Sequence, residues 1–138
     1  MKAKSLLAGI AAILLSVTLS ACGTYAGYDD DTKTVKGGSW SAVSEASSST
    51  TNHFVMSCGK CNGVKTIGTV SVLDNSSLDM TLNIDSGRFK LVLVKSNSVY
   101  LVTDGNSQGP VPLTNVPSGN YTLKMVAEDA KFQLDVRL

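Results

Sequence analysis

The stretch that decides the fold is Leu78-Asp79-Met80-Thr81-Leu82-Asn83-Ile84-Asp85. Apolar and polar residues alternate strictly along it, so one set of side chains faces a core while the other set faces water. A helix would instead need apolar residues three and four positions apart. The stretch therefore predicts a β-strand in an antiparallel sheet with one solvated face.

Similar short apolar or alternating runs continue on both sides, and clusters of Gly, Asn, Asp and Ser separate them. These clusters predict turns at 59–63, 86–87 and 128–130. The other predicted strands are 39–46, 53–58, 64–73, 89–94, 99–103, 111–116, 121–127 and 132–138. About eight short strands, with no helical period among them, predict an all-β fold, an antiparallel β-sandwich or barrel, and we take the sandwich as the prediction.

Two of these strands carry information about their place in the sheet. The strand over 89–94 is apolar on both faces, so we expect it to be central or covered on its outer side. The strand over 111–116 contains Pro112, which cannot donate a hydrogen bond and suits an edge. The Ser-rich run over 39–46 is also typical of an irregular or edge strand.

The second half of the chain resembles a known group of domains. The sequences Gly87-Arg88-Phe89-Lys90-Leu91-Val92-Leu93-Val94 and Pro117-Ser118-Gly119-Asn120-Tyr121-Thr122-Leu123 precede a final alternating strand. This pattern over 78–138 resembles the small jelly-roll β-sandwich domains of bacterial envelope proteins. The resemblance implies a jelly-roll-like sandwich. Because such domains carry diverse functions, it supports the fold and gives only an associational hint of ligand binding.

The N-terminus reads as a targeting signal. Lys2 and Lys4 precede an apolar run over 6–19, which is about 14 residues or roughly 21 Å of helix, short for a ~30 Å bilayer core. The run predicts a helical secretory signal peptide over 1–21. It ends in Leu19-Ser20-Ala21-Cys22, which resembles the lipobox of bacterial lipoproteins.

The lipobox resemblance implies cleavage before Cys22 and a diacylglyceryl group on its sulfur. Two or three acyl chains hold a protein firmly on a bilayer, whereas one chain binds only marginally. We therefore expect an extracytoplasmic protein whose membrane partner is reached through Cys22, in the cell membrane or the outer membrane.

Composition divides the remainder of the chain. Residues 22–38 contain glycines and the acidic run Asp29-Asp30-Asp31, and they predict a lipidated cysteine followed by a flexible linker. Residues 39–138 form the predicted β-domain. The chain has 12 Lys and Arg against 11 Asp and Glu, a balance that gives no reason to expect a nucleic-acid partner.

The sequence Cys58-Gly59-Lys60-Cys61 is the motif whose side chains are most able to carry out chemistry. In an oxidising compartment its two cysteines predict a local disulfide that pins a turn. An alternative is a thiol-redox protein. A second alternative is a copper or zinc site in which His53 and Met56 join the two cysteines. In a strand, Met56 and Cys58 share a face and His53 points to the other.

The sequence favours a protein that is not an enzyme. His53 is its single histidine, and a lone histidine beside a cysteine pair is more often a surface or core residue than a catalytic base. We expect no cofactor. The predicted function is a binding or structural module of the cell envelope, with an envelope protein or a glycan as its ligand.

Overall fold

The computed structural model describes residues 25–37 and 39–138. The predicted signal peptide and Cys22 lie outside the described residues. The elements are α1 (Asp31–Lys36), β1 (Trp40–Thr50), β2 (His53–Val72), β3 (Ser77–Lys95), β4 (Ser98–Thr103), β5 (Ser107–Pro112) and β6 (Gly119–Arg137).

The six strands form one antiparallel sheet. Its order is β1-β2-β6-β3-β4, and β5 pairs with the first part of β3. The predicted all-β antiparallel class is confirmed. The predicted number of about eight strands is wrong, because β2, β3 and β6 each continue through a point where the sequence predicts a turn.

Those three predicted turns are bends within long strands. The register of β2 shifts between Cys58 and Gly63, and that of β3 shifts against β6 between Ile84 and Arg88. In β6 the bend lies at Asp129, whose φ is 48°. Extra residues in a strand produce such bulges, which bend it without reversing it. The Gly and Asn residues at these points do mark an irregular backbone, but the irregularity bends the strand and does not end it in a turn.

The bends let both parts of each long strand contribute to one core. In β3 the residues of this core have even numbers before the bend, as at Met80 and Leu82, and odd numbers after it, as at Leu91. Phe89 follows the bend of β3, and Phe132 follows the bend of β6. Their ring centroids lie 4.2 Å apart, so residues of both strands meet at the centre of the core.

A second, smaller apolar cluster lies on the opposite face of the sheet. Val92 and Val94 pack there with Val126 beneath Tyr28. This confirms the prediction that the strand over 89–94 is covered on its outer side.

The cover comes from residues 25–37, for which composition predicts a flexible linker. They instead form a turn followed by α1, and Tyr28 is only 6% exposed. Asp30 caps the helix because its carboxylate accepts the backbone N–H groups of Thr32 and Lys33 at 3.0 and 3.4 Å. The acidic run thus serves a helix N-terminus, and the buried ring of Tyr28 helps to fix the segment to the sheet.

The edge predictions agree with the sheet order. β1 is an edge strand and is solvent-exposed along its length beyond Trp40. β5 begins earlier than predicted, contains Pro110 and Pro112, and pairs with β3.

Candidate functional site

A cleft of about 600 Å³ opens where the N-terminal segment lies over the sheet. Its apolar floor includes Val92, Val99 and Leu101, and Leu101 is 54% exposed. Residues 28–31 supply one side, and the loop over 104–106 between β4 and β5 supplies the other. A concave apolar surface with a few convergent polar groups is the usual form of a ligand site.

Arg88 is held at the bend of β3 by two carboxylates. Its Nε donates to Glu128 Oε1 at 2.7 Å, and its Nη1 and Nη2 donate to the two oxygens of Asp29 at 3.3 and 3.1 Å. The hydrogen bond to Glu128, followed by that to Asp29, raises the pKa of Arg88. The guanidinium is therefore a fixed positive group that also ties the N-terminal segment to the sheet.

Tyr28 lies beneath two cations. The guanidinium carbon of Arg88 is 4.1 Å from the centroid of its ring, and Lys90 Nζ is 4.5 Å from the same centroid. These distances fit cation–π contacts. Burial, with smaller contributions from carboxylates that include Asp104, raises the pKa of Tyr28 to about 12 although Arg88 lowers it. The phenol is therefore neutral at pH 7.

The remaining charges of the cleft are mostly negative. Asp31 and Asp104 line it, and neither makes an ion pair with another residue in the part of the chain that the structure describes. Asn106 fixes the adjoining loop, because its Oδ1 accepts the backbone N–H of Ile84 at 2.7 Å. The cleft thus presents two free carboxylates beside an apolar floor.

Asn62 positions the start of the N-terminal segment. Its Oδ1 accepts the backbone N–H groups of Tyr25 at 2.9 Å and of Asp129 at 2.8 Å, and its Nδ2 donates to Asp129 Oδ1 at 3.2 Å. One amide therefore connects the bend of β2, the bend of β6 and the segment that forms a wall of the cleft.

Lys124 fixes the other end of that segment. It is only 7% exposed, and its Nζ donates to the carbonyl oxygens of Thr34 at 3.1 Å and Val35 at 2.9 Å. Burial lowers the pKa of Lys124. A cation at the end of α1 satisfies carbonyls that have no partner inside the helix.

The predicted disulfide between Cys58 and Cys61 is present. Its cysteines are 2% and 0% exposed, their Cα atoms lie 6.2 Å apart, and they bracket a bulge of β2. The bond therefore pins a bend inside one strand, whereas the sequence predicts a turn between two strands.

The four residues of the alternative metal site are not brought together. Met56 lies in the core with the two cysteines, but His53 is on the other face, where its Nε2 is 2.6 Å from Asp135 Oδ1. The described residues contain no group of three or more His, Cys, Asp or Glu side chains arranged to hold a metal ion. Disulfide sulfurs also lack the thiolate that binds copper or zinc.

The sequence patterns did not place Tyr28, Arg88, Lys90 and Asp104 together in one site. Their proximity depends on the N-terminal segment folding back over β3, which no local pattern indicates. The available signal was Tyr28 itself, a large aromatic residue in a stretch that otherwise reads as a polar spacer.

Comparison with protein-family models, curated proteins and solved structures gives no match to this chain. Across residues 25–37 and 39–138, no helix has the length and apolar character needed to cross a membrane.

Proposed function

We propose that this protein is a lipid-anchored, extracytoplasmic binding module whose cleft takes an extended peptide segment of another envelope protein. The sequence Leu19-Ser20-Ala21-Cys22 supports the anchor, since it matches a lipobox at the end of a signal peptide. The observation that carries the binding role is the cleft, in which a fixed Arg88 and an exposed Leu101 lie beside carboxylates without partners.

The chemistry of the cleft favours a peptide that is both apolar and basic. Asp29, Asp31 and Asp104 outnumber Arg88 and Lys90, so the cleft attracts positive charge. The apolar floor suits aliphatic side chains.

The position of the floor also favours an extended peptide. Leu101 lies on β4, at an end of the sheet order, so the backbone there can accept an added strand. A glycan fits less well, because among the described lining residues the ring of Tyr28 lies under Arg88 and Lys90 and offers no open platform for a sugar.

The protonation states of the cleft favour binding over catalysis. General acids and bases work best with a pKa near the operating pH. Here the pKa of Tyr28 rises to about 12 and that of Arg88 also rises, so both groups keep one protonation state near neutrality. They are suited to fixed recognition of a ligand.

We also propose that the fold is a jelly-roll-like sandwich. In this description the parts of β2, β3 and β6 on either side of the bends serve as the two layers. The Phe89–Phe132 contact and the approach of Leu138 to Gly68 support it.

Nuclear magnetic resonance titration of the purified protein in detergent micelles tests the binding role. The probe is a capped Lys-Val-Lys-Leu-Lys peptide, and its counterpart carries Glu in place of each Lys. We expect the basic peptide to shift the amide signals of Leu101 and Asp104. We expect Asp104→Asn to weaken binding about threefold, the value of one rim charge.

The matched control is Asp79→Asn, which removes an exposed carboxylate outside the cleft and should leave the affinity unchanged. Equal binding of the acidic peptide, or shifts confined to other surfaces, would contradict the proposal. If a neutral oligosaccharide shifts the cleft amide signals and the peptides do not, the ligand of the cleft is a glycan and not a peptide.

A further inference from the structure

We infer that the bends of the three long strands face the bilayer, and that the domain is held against the headgroups with the cleft beside them. The inference rests on the lipid anchor of the proposed function and adds the interaction surface and its partner, a lipid surface. Residues 25–37, called the docked segment below, are firmly fixed to the sheet.

The docked segment is attached at both ends and in its middle. Tyr25 donates its backbone N–H to Asn62, Asp29 accepts two hydrogen bonds from Arg88, and Lys124 donates to two carbonyls at the end of α1. Tyr28 is buried between these points. From Tyr25 onward the chain is therefore part of the folded domain and cannot act as a spacer.

Only a short length of chain then separates the domain from the anchor. Cys22 lies three residues before Tyr25 in the sequence. Three residues of fully extended chain span at most about 11 Å. If acyl chains on Cys22 sit in the bilayer, Tyr25 cannot rise further than this above the level of the headgroups.

Tyr25 lies at the bends. Asn62, which binds it, belongs to the bend of β2 and also binds Asp129 in the bend of β6. The carbonyl oxygen of Asp129 lies against Gly87 in the bend of β3. The three bends are thus the part of the sheet closest to the membrane, and Arg88 places the cleft beside them.

The turn between β3 and β4 lies at the far end of the same strand. Ser98 pairs with Lys95, and Lys95 lies nine residues after Ser86 along β3. At about 3.3 Å per residue, that is about 30 Å along β3. Ser86 and Ser98 are both exposed serines, so they give a matched pair of labelling positions near the membrane and away from it.

The tether, and not surface charge, fixes this orientation. Lys60 lies 3.7 Å from Asp129, and Arg88 is bound by Asp29 and Glu128, so these cations at the bends already have carboxylate partners. They offer little net attraction to anionic headgroups. The orientation should therefore persist when salt screens electrostatic attraction.

The test uses full-length, lipidated protein carrying Ser86→Cys or Ser98→Cys, labelled with a fluorescent dye without reduction. The proteins are reconstituted into vesicles of phosphatidylethanolamine and phosphatidylglycerol in equal amounts, with a nitroxide quencher on some headgroups. We expect quenching at position 86 to be several-fold stronger than at position 98, at low and high salt. In a variant with about 20 Gly and Ser residues inserted before Tyr25, a tether of about 25 Å should remove the difference.

The outcomes separate the inference from the anchor. Protein that floats with the vesicles but shows equal quenching at the two positions overturns the orientation and leaves the anchor standing. A difference that disappears at high salt overturns the tether as its cause. Protein that does not float with the vesicles overturns the anchor, and the orientation with it.

Discussion

Asn62 and Asp129 join the bends of β2 and β6 through two hydrogen bonds, one to the backbone N–H of Asp129 at 2.8 Å and one to its carboxylate at 3.2 Å. Asn62 is 9% exposed and also accepts the backbone N–H of Tyr25. A single side chain therefore fixes the bend of the sheet and the segment that covers it. The shape of the cleft depends on this junction.

Asn62→Ala should lower the free energy of unfolding by about 3 kcal/mol, since it removes three hydrogen bonds worth about 1 kcal/mol each. Urea titration measures the loss, and hydrogen exchange should show faster exchange of the Tyr25 amide. Asn115→Ala is the control, because Asn115 is exposed in a loop. Equal stability of the two variants would contradict the role given to Asn62.

Gly87→Ala should destabilise the protein by about 2 kcal/mol or more. The φ of Gly87 is 74°, and a Cβ there would collide with the carbonyl oxygen of Asp129. Gly109→Ala separates the two causes: its φ is 94°, but a Cβ meets nothing within 4 Å. It should cost only about 1 kcal/mol of backbone strain. Thermal unfolding of both variants measures the difference in stability. A smaller loss of stability for Gly87→Ala than for Gly109→Ala would contradict the predicted collision with Asp129.

Replacing Cys58 and Cys61 together by Ala should lower the free energy of unfolding by about 2 kcal/mol, the chain-entropy value for so short a loop. Denaturant titration gives this value. Binding of the basic peptide should remain within about twofold of wild type, because the disulfide lies in the core away from the cleft. Loss of peptide binding in a variant that still folds would contradict the assignment of binding to the cleft.

The stability of the protein should fall as pH rises from 10 to 12, in part because of Tyr28. Burial raises the pKa of Tyr28 from 10.0 to about 12. In this range the tyrosine of the unfolded chain ionises first, so the unfolded state binds fewer protons and becomes relatively more stable. The contribution is complete below pH 10 and is lost as pH passes 12.

Tyr28→Phe provides the comparison for this pH effect. Urea titrations at several pH values should show a shallower fall of stability in the variant. The pKa values of Tyr25 and Tyr121 are also raised, and that of Lys124 is lowered, but these groups remain in both proteins. If stability falls equally steeply with pH in wild type and variant, the pKa of Tyr28 is not raised by burial.

The β class and the core of this chain could be predicted from its sequence, because alternation along 78–85 and 132–138 reports directly which side chains are buried. The edge position of β1 followed from its Ser-rich composition. The disulfide followed from having Cys58 and Cys61 as a neighbouring pair in a chain expected to reach an oxidising compartment. Each of these features depends on residues that are near one another in the sequence.

The strand count and the cleft could not be predicted in the same way. Gly87 is equally compatible with a reversing turn and with a bulge, and only pairing with β6 across the sheet decides between them. The docked segment reads as a spacer because its contacts, such as Asp29 with Arg88, span 59 positions. Long-range pairing of this kind leaves no periodic signal in either segment.

Intact mass spectrometry of the protein purified from membranes tests the central claim most directly. We predict a mature chain that begins at Cys22 and carries the added mass of a diacylglyceryl group, and we predict that a Cys22→Ala variant leaves the membrane fraction. A mature chain without lipid at Cys22, or a Cys22→Ala variant that still floats with membranes, would contradict it.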